Sequence, residues 1–208
     1  MLRERWLFGK KSDSFTLQWH LTNACEFHCR HCYDRSNISS LDFSAAEKIL
    51  HNFLFFCNKR GIRGQICLTG GNPFLYPNIM RLYEEISESG LPISVLGNPI
   101  SEDLLKKVVV IQKPVYFQVS LEGLKDYNDH VRGLGHFDKI INFLELLGKY
   151  DVRRHVMLTL HRGNINQAIE LADRLVGFVE RFTFNRLSQV GEGIALKMPT
   201  KGDLVLFM

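Results

Sequence analysis

The sequence is most informative first in what it lacks. No stretch of its 208 residues approaches the roughly 20 consecutive apolar positions that a membrane-spanning helix requires. The first 14 residues, MLRERWLFGKKSDS, contain no apolar core of the kind a secretory signal needs. Charge is not concentrated: the formal net charge is +4, and the paired bases at 10–11, 106–107 and 153–154 are isolated from one another. That pattern describes solvated faces, not a nucleic-acid footprint. Five cysteines are too few and too unevenly placed for a disulfide framework, because three of them fall within eight residues. These absences predict a cytoplasmic protein with neither a nucleic-acid nor a membrane partner. Hydrophobic residues make up 45% of the chain and aromatics 11%, enough for one sizeable core.

The chemistry is concentrated in residues 21–33, LTNACEFHCRHCY, where Cys25, Cys29 and Cys32 stand at spacings of four and three. Cys57 and Cys67 sit in apolar helical and strand-like runs and read as core residues. Three thiols without a fourth are an incomplete tetrahedral set. A structural zinc site closes with four protein ligands, here with His28 or His31 as the fourth, whereas a 4Fe-4S cluster held by three thiolates leaves one iron open. Ordinary reduced thiols are the third reading.

The rest of the chain alternates between strand and helix patterns. Strands are expected at 15–21, 65–69, 92–96, 115–121, 154–160 and 181–187. Between them, helical spacing runs from Ser44 to Gly61, from Asn78 to Ser89, from Ser101 through the following VVVI, along Phe137, Ile140, Ile141, Leu144 and Leu147, and from Asn164 to Val176. Ser44 with Glu47 reads as a capping box, and Ser101 as an N-cap. The stretch from Glu122 to His136 reads as a polar loop. Six strands alternating with five helices predict a parallel α/β sheet with right-handed connections. The unusual polar residues follow the ends of many strands, not one, which favours a partial (βα)6 TIM-like barrel over a doubly wound sheet.

The C-x-x-x-C-x-x-C-aromatic string after a strand ending in L-T-N, then Gly70-Gly71-Asn72-Pro73, then VSLEG through Arg132-Gly133, resembles the radical S-adenosylmethionine (SAM) enzymes. The likeness is to the core domain of peptide-modifying members that carry SPASM or twitch extensions. It extends from Trp19 to about Leu196, with the core domain at 1–187 and the start of a C-terminal extension at 188–208. Such extensions carry further cysteines. This chain ends before any, so it is expected to be a piece of a longer protein.

The resemblance implies that Cys25, Cys29 and Cys32 hold a 4Fe-4S cluster and that SAM is the second cofactor. Gly70 and Gly71 fit a close backbone approach or positive φ, or an ordinary tight turn. Asn72 stands where the family has glutamate; its amide oxygen could accept from the SAM ammonium, without the gain of a charged acceptor. By the same resemblance Ser120, Glu122, Arg132 and Asn98 would contact SAM, and His31 would lie beside the adenine. Arg132 alternatively pairs with Asp129 or Glu122. His161 and Arg162 are candidates for touching substrate.

The activity implied is reductive SAM cleavage, giving a radical that modifies a ribosomally made peptide in an oxygen-sensitive reaction. Cofactor biosynthesis and sulfatase-type protein maturation are alternatives, as is a non-catalytic Fe-S or zinc protein. Partners implied are a peptide or small-molecule substrate, an electron donor such as flavodoxin or ferredoxin, and a separate peptide-recognition protein, since fewer than 20 residues precede the first strand. The sequence names no radical acceptor or catalytic base.

Overall fold

The computed structural model describes residues 14–36 and 40–207. Of the N-terminal segment read for targeting, residues 1–13, with the basic pair at 10–11, lie outside the described residues.

Six strands, β1 (Ser14–His20), β2 (Arg63–Thr69), β3 (Ile93–Leu96), β4 (Phe117–Ser120), β5 (Arg154–Leu160) and β6 (Arg181–Arg186), form one sheet in sequence order. Every pair is parallel. A sheet wound in one direction has no point where the strand order reverses. The crevice that locates ligands in doubly wound folds is therefore missing, and the arrangement is an open half-barrel.

Alternation along the strands separates the two faces. Phe117, Val119, Val156, Leu158 and Leu160 are fully buried, while their neighbours Gln118, Ser120, Met157 and Thr159 face a cavity on the inner side. Helices cover the outer side: α1 (Phe43–Arg60), α2 (Ile79–Glu88), α3 (Glu102–Ile111), α4 (Lys125–Arg132), α5 (His136–Lys149) and α6 (Ala168–Leu175), followed by a short α7 (Lys201–Phe207). Ile79, Leu82, Tyr83 and Ile86, at helical spacing, form the buried face of α2.

Helix ends follow local chemistry, with two departures from the sequence reading. The N-cap of α1 is Asp42, whose carboxylate accepts from the Ala45 N–H at 2.8 Å, so Ser44 lies inside the first turn. Ser101 caps α3 as predicted, accepting from Leu104 N–H. The predicted loop after β4 contains α4. That helix escapes a periodicity reading because its buried residues are only Asn128 and Val131, one of them polar.

Candidate active site around the cysteine loop

The loop after β1 carries all three clustered cysteines and is fastened at three places. First, Leu21 N–H donates to Thr69 O at 3.0 Å, Gly71 N–H to Thr22 O at 2.7 Å and Asn72 N–H to Ala24 O at 2.7 Å, extending the β1–β2 pairing past both strand ends. Second, Arg30 N–H donates to Val131 O in the last turn of α4 at 2.9 Å. Third, Glu192 N–H in the turn Gly191–Ala195 donates to Cys32 O at 2.9 Å. The glycines make these approaches feasible. A Cβ on Gly71 would stand 2.3 Å from the Ala24 carbonyl oxygen, and one on Gly191 2.5 Å from that of Tyr33. The Gly-Gly pair thus admits the cysteine loop's backbone, which the sequence reading did not separate from ligand approach.

The loop faces a cavity of about 610 Å³, within the range of small-molecule sites. Cys25, Cys29, Cys32, His31, Gly70, Gly71, Asn98, Ser120 and Arg132 all line it. Residues brought together from four strand ends and the end of α4 therefore share one chamber. Among the described residues no three His, Cys, Asp or Glu side chains are gathered tightly enough to hold a single metal ion. A polynuclear cluster takes each thiolate on a different iron, so three cysteines around one chamber with no fourth fit a cubane with one open iron.

Three expected contacts are relocated. Asn72 is buried at 3% exposure and does not line the cavity. Its amide oxygen caps Phe74 N–H at 3.1 Å, and its NH2 group donates to both carboxylate oxygens of Glu26, at 3.0 and 3.2 Å. An Asx turn opening the 3-10 segment Pro73–Leu75 and a neighbouring acid have claimed the side chain. Glu122 has no exposed surface and also lies behind the cavity wall. Its carboxylate accepts from Arg132 Nε at 2.9 Å and from Thr159 N–H at 2.9 Å. The ion-pair alternative for Arg132 is thus the one observed. His161 is buried behind Glu122's side of the wall, taking Gly163 N–H on Nδ1, and does not reach the cavity.

Burial sets the protonation of this wall. Desolvation lowers His31 to about 4, partly opposed by Glu122, so its ring is neutral at pH 7. Neutral His31 accepts from Arg132 Nη2 on Nε2 at 3.2 Å, leaving the proton on Nδ1, which has no partner among the described residues. Desolvation opposes the charge on Arg132, but Glu122 and Cys29 outweigh it and raise its pKa. Burial raises the Cys29 thiol, with Arg132 pulling the other way.

Sequence reasoning missed the outer rim. Asn23 Nδ2 donates to Asp34 Oδ2 at 3.1 Å and Ser36 Oγ at 2.7 Å, its carbonyl contacts His20 Nε2, and Tyr33 stands edge-on to His20. At 59% exposure, Tyr33 is an open ring of the loop, whereas the His31 side chain is held at 9%. The signal available was the position of His20 and Asn23 at a strand end, a place where the sequence reading had already collected polar groups. Asn185 and Arg186 at the end of β6 also line the cavity.

Comparison with known proteins supplies the family. A family model described as the Radical SAM superfamily matches residues 19–175. The mycofactocin maturase MftC of Mycobacterium ulcerans is 29% identical, over 85% of this chain and 48% of its own. The Fe-coproporphyrin III synthase of Methanosarcina barkeri is 24% identical, over 84% of this chain and 44% of its own. The chain therefore spans about half the length of these relatives. Among solved structures, Streptococcus suis SuiB bound to S-adenosylmethionine superposes with a TM-score of 0.71 at 21% identity, covering 92% of this chain and 45% of SuiB. SuiB has also been solved bound to its precursor peptide SuiA.

Proposed function

Since this chain belongs to the Radical SAM superfamily, we propose that its cavity holds a 4Fe-4S cluster on Cys25, Cys29 and Cys32 and SAM on the open iron, and that it modifies a ribosomally made peptide. The observation that carries the reading is the meeting of three thiols, the Gly70-Gly71 backbone and Ser120 around one chamber. With both cofactors bound, an electron from a flavodoxin- or ferredoxin-type donor would reach the SAM sulfonium, releasing methionine and a 5′-deoxyadenosyl radical that takes a hydrogen atom from a substrate carbon.

The chain's own residues bind, orient and exclude. The Cys loop, fastened at three points, fixes the ligand spacing. Ser120 offers a hydroxyl to SAM from the floor, and His31 lines the wall beside it. Tyr33, Asn185 and Arg186 form the rim where substrate would enter. The reading of a peptide substrate rests on the maturase among the relatives and on SuiB's complex with SuiA. Residues 188–208 are read as the start of an extension whose first turn already serves the core by holding Cys32.

Two other readings have an observation behind them. The Fe-coproporphyrin III synthase supports a small-molecule substrate in cofactor biosynthesis. The turning of Asn72 away from the cavity supports a protein that keeps the cluster without cleaving SAM.

Anaerobic reconstitution with iron and sulfide, reduction by dithionite and addition of SAM tests the reading. About four irons per chain with 5′-deoxyadenosine released is the expected result. Four irons without deoxyadenosine supports the non-catalytic alternative. Zinc in the anaerobically isolated protein sinks the proposal.

A further inference from the structure

The three clustered sulfurs are not equivalently placed. Asn98 Nδ2 donates to Cys25 Sγ at 3.3 Å, and Arg132 Nη1 donates to Cys29 Sγ at 3.7 Å. Cys32 Sγ is instead the donor, to Asp34 O at 3.1 Å. An amide NH2 and a guanidinium carry no acceptor on nitrogen, so the first two sulfurs are met as acceptors, the role of a thiolate.

Both donors are fixed by the fold. Arg132 closes α4 and lies, half-buried, against the buried Glu122, which accepts its Nε–H while Thr159 N–H holds the other carboxylate oxygen. Asn98 is buried just beyond β3, on a turn anchored by the Gly97 N–H to Gln118 O bond at 3.1 Å. Hydrogen bonds to cluster sulfurs are a principal control on Fe-S potentials, because each stabilises the more negative state more than the less negative one. A reduced cluster carries one more electron on the same atoms, so its sulfurs are better acceptors.

We propose that Asn98 and Arg132 act through the Cys25 and Cys29 sulfurs as positioning residues that stabilise the one-electron-reduced cluster and so make it easier to reduce. The inference rests on the cluster reading above and reassigns two residues otherwise expected on SAM. The redox step is a single electron from an external low-potential reductant to the cluster, with no proton transferred and no bond broken.

The test uses the reconstituted wild type, Asn98→Leu and Arg132→Lys, without SAM. Iron and sulfide are counted, and each protein is poised with dithionite and mediators over a range of potentials while the reduced-cluster signal is read by electron paramagnetic resonance. One neutral hydrogen bond corresponds to a change of about fivefold in the reduced-to-oxidised ratio. At the potential that half-reduces the wild type, Asn98→Leu is expected to show that ratio lowered by about this factor at unchanged iron content. Arg132→Lys, which keeps the charge but shortens the reach to sulfur, is expected to shift the same way. It carries the test alone if Asn98→Leu loses iron.

Superimposable reduction curves at equal iron content overturn the inference while leaving the cluster intact. So does a shift that is absent in this titration and arises only when it is repeated with SAM added, since that assigns both residues to SAM. A wild type that takes up no reducible four-iron cluster overturns this inference together with the reading beneath it.

Discussion

Gly71 shows how little room the cysteine loop leaves. An alanine there must place its methyl 2.3 Å from Ala24 O and 2.8 Å from Asn23 O, backbone atoms that cannot swing aside. Gly71→Ala is expected to destabilise the protein by about 2 kcal/mol or more and to lower iron uptake in parallel. Urea melts and iron analysis on the same preparation check both. His136 is a second residue whose surroundings decide its behaviour. It is 1% exposed, accepts from Asn128 Nδ2 on Nδ1, and is lowered to about 3 by burial and then by the charge of Arg132. Because the folded value lies below the ordinary 6.5, its contribution to stability is complete above pH 6.5. It is lost as the pH falls from there towards 3, where the unfolded chain binds a proton that the folded one refuses. His31 acts in the same direction. The apoprotein is expected to lose up to about 1.4 kcal/mol per pH unit for each such histidine below pH 6.5. Urea midpoints from pH 7.5 to 5.5 measure the slope, and His136→Gln should flatten it.

Among the elements, α1 and α4 mark what the sequence could and could not disclose. For α1 the apolar spacing and Gly61, left-handed at φ 60°, define the helix correctly. Its N-cap is misread because Ser44 and Glu47 match the capping-box spacing while Asp42, two residues earlier, makes the bond. Asp42→Ala is therefore expected to cost about 1 kcal/mol and Ser44→Ala to change little, a contrast that thermal or urea denaturation resolves. For α4 the failure is physical. Asn128 takes Glu122 N–H and reaches Asp129 and His136, so a buried position is filled by an amide, and no hydrophobic period betrays the helix. A motif can be found from its order along the chain, as Cys25, Gly71, Ser120 and Arg132 were. Where Asn72 and Glu122 direct their side chains depends on neighbours distant in sequence, and only the folded arrangement reveals that.

For the whole molecule, the in-order parallel sheet brings every strand end to one face, which is why scattered polar residues could be assigned to one site before any coordinates. The contribution of the C-terminal turn was the less legible part, because the resemblance gave it to an extension. Gly191 has φ 55° and no space for a Cβ against Cys32 O and Tyr33 O. Gly191→Ala is expected to free that end of the loop, raising the labelling rate of Cys32 several-fold over that of buried Cys57 and Cys67. Peptide-resolved alkylation of the apoprotein, followed over time, reads this directly.

The same fastening imposes a sequence of events on synthesis. Cys32 is translated early, but the residue that ties its carbonyl, Glu192, follows roughly 160 positions later. At typical elongation rates that gap is about 8 to 30 s. Until it closes, three neighbouring thiols emerge on a segment that lacks its last tether, exposed to oxygen and to stray metal ions. The cysteine loop is thus made early and tied only once residue 192 has been added, so delivery of iron and sulfur belongs after that point.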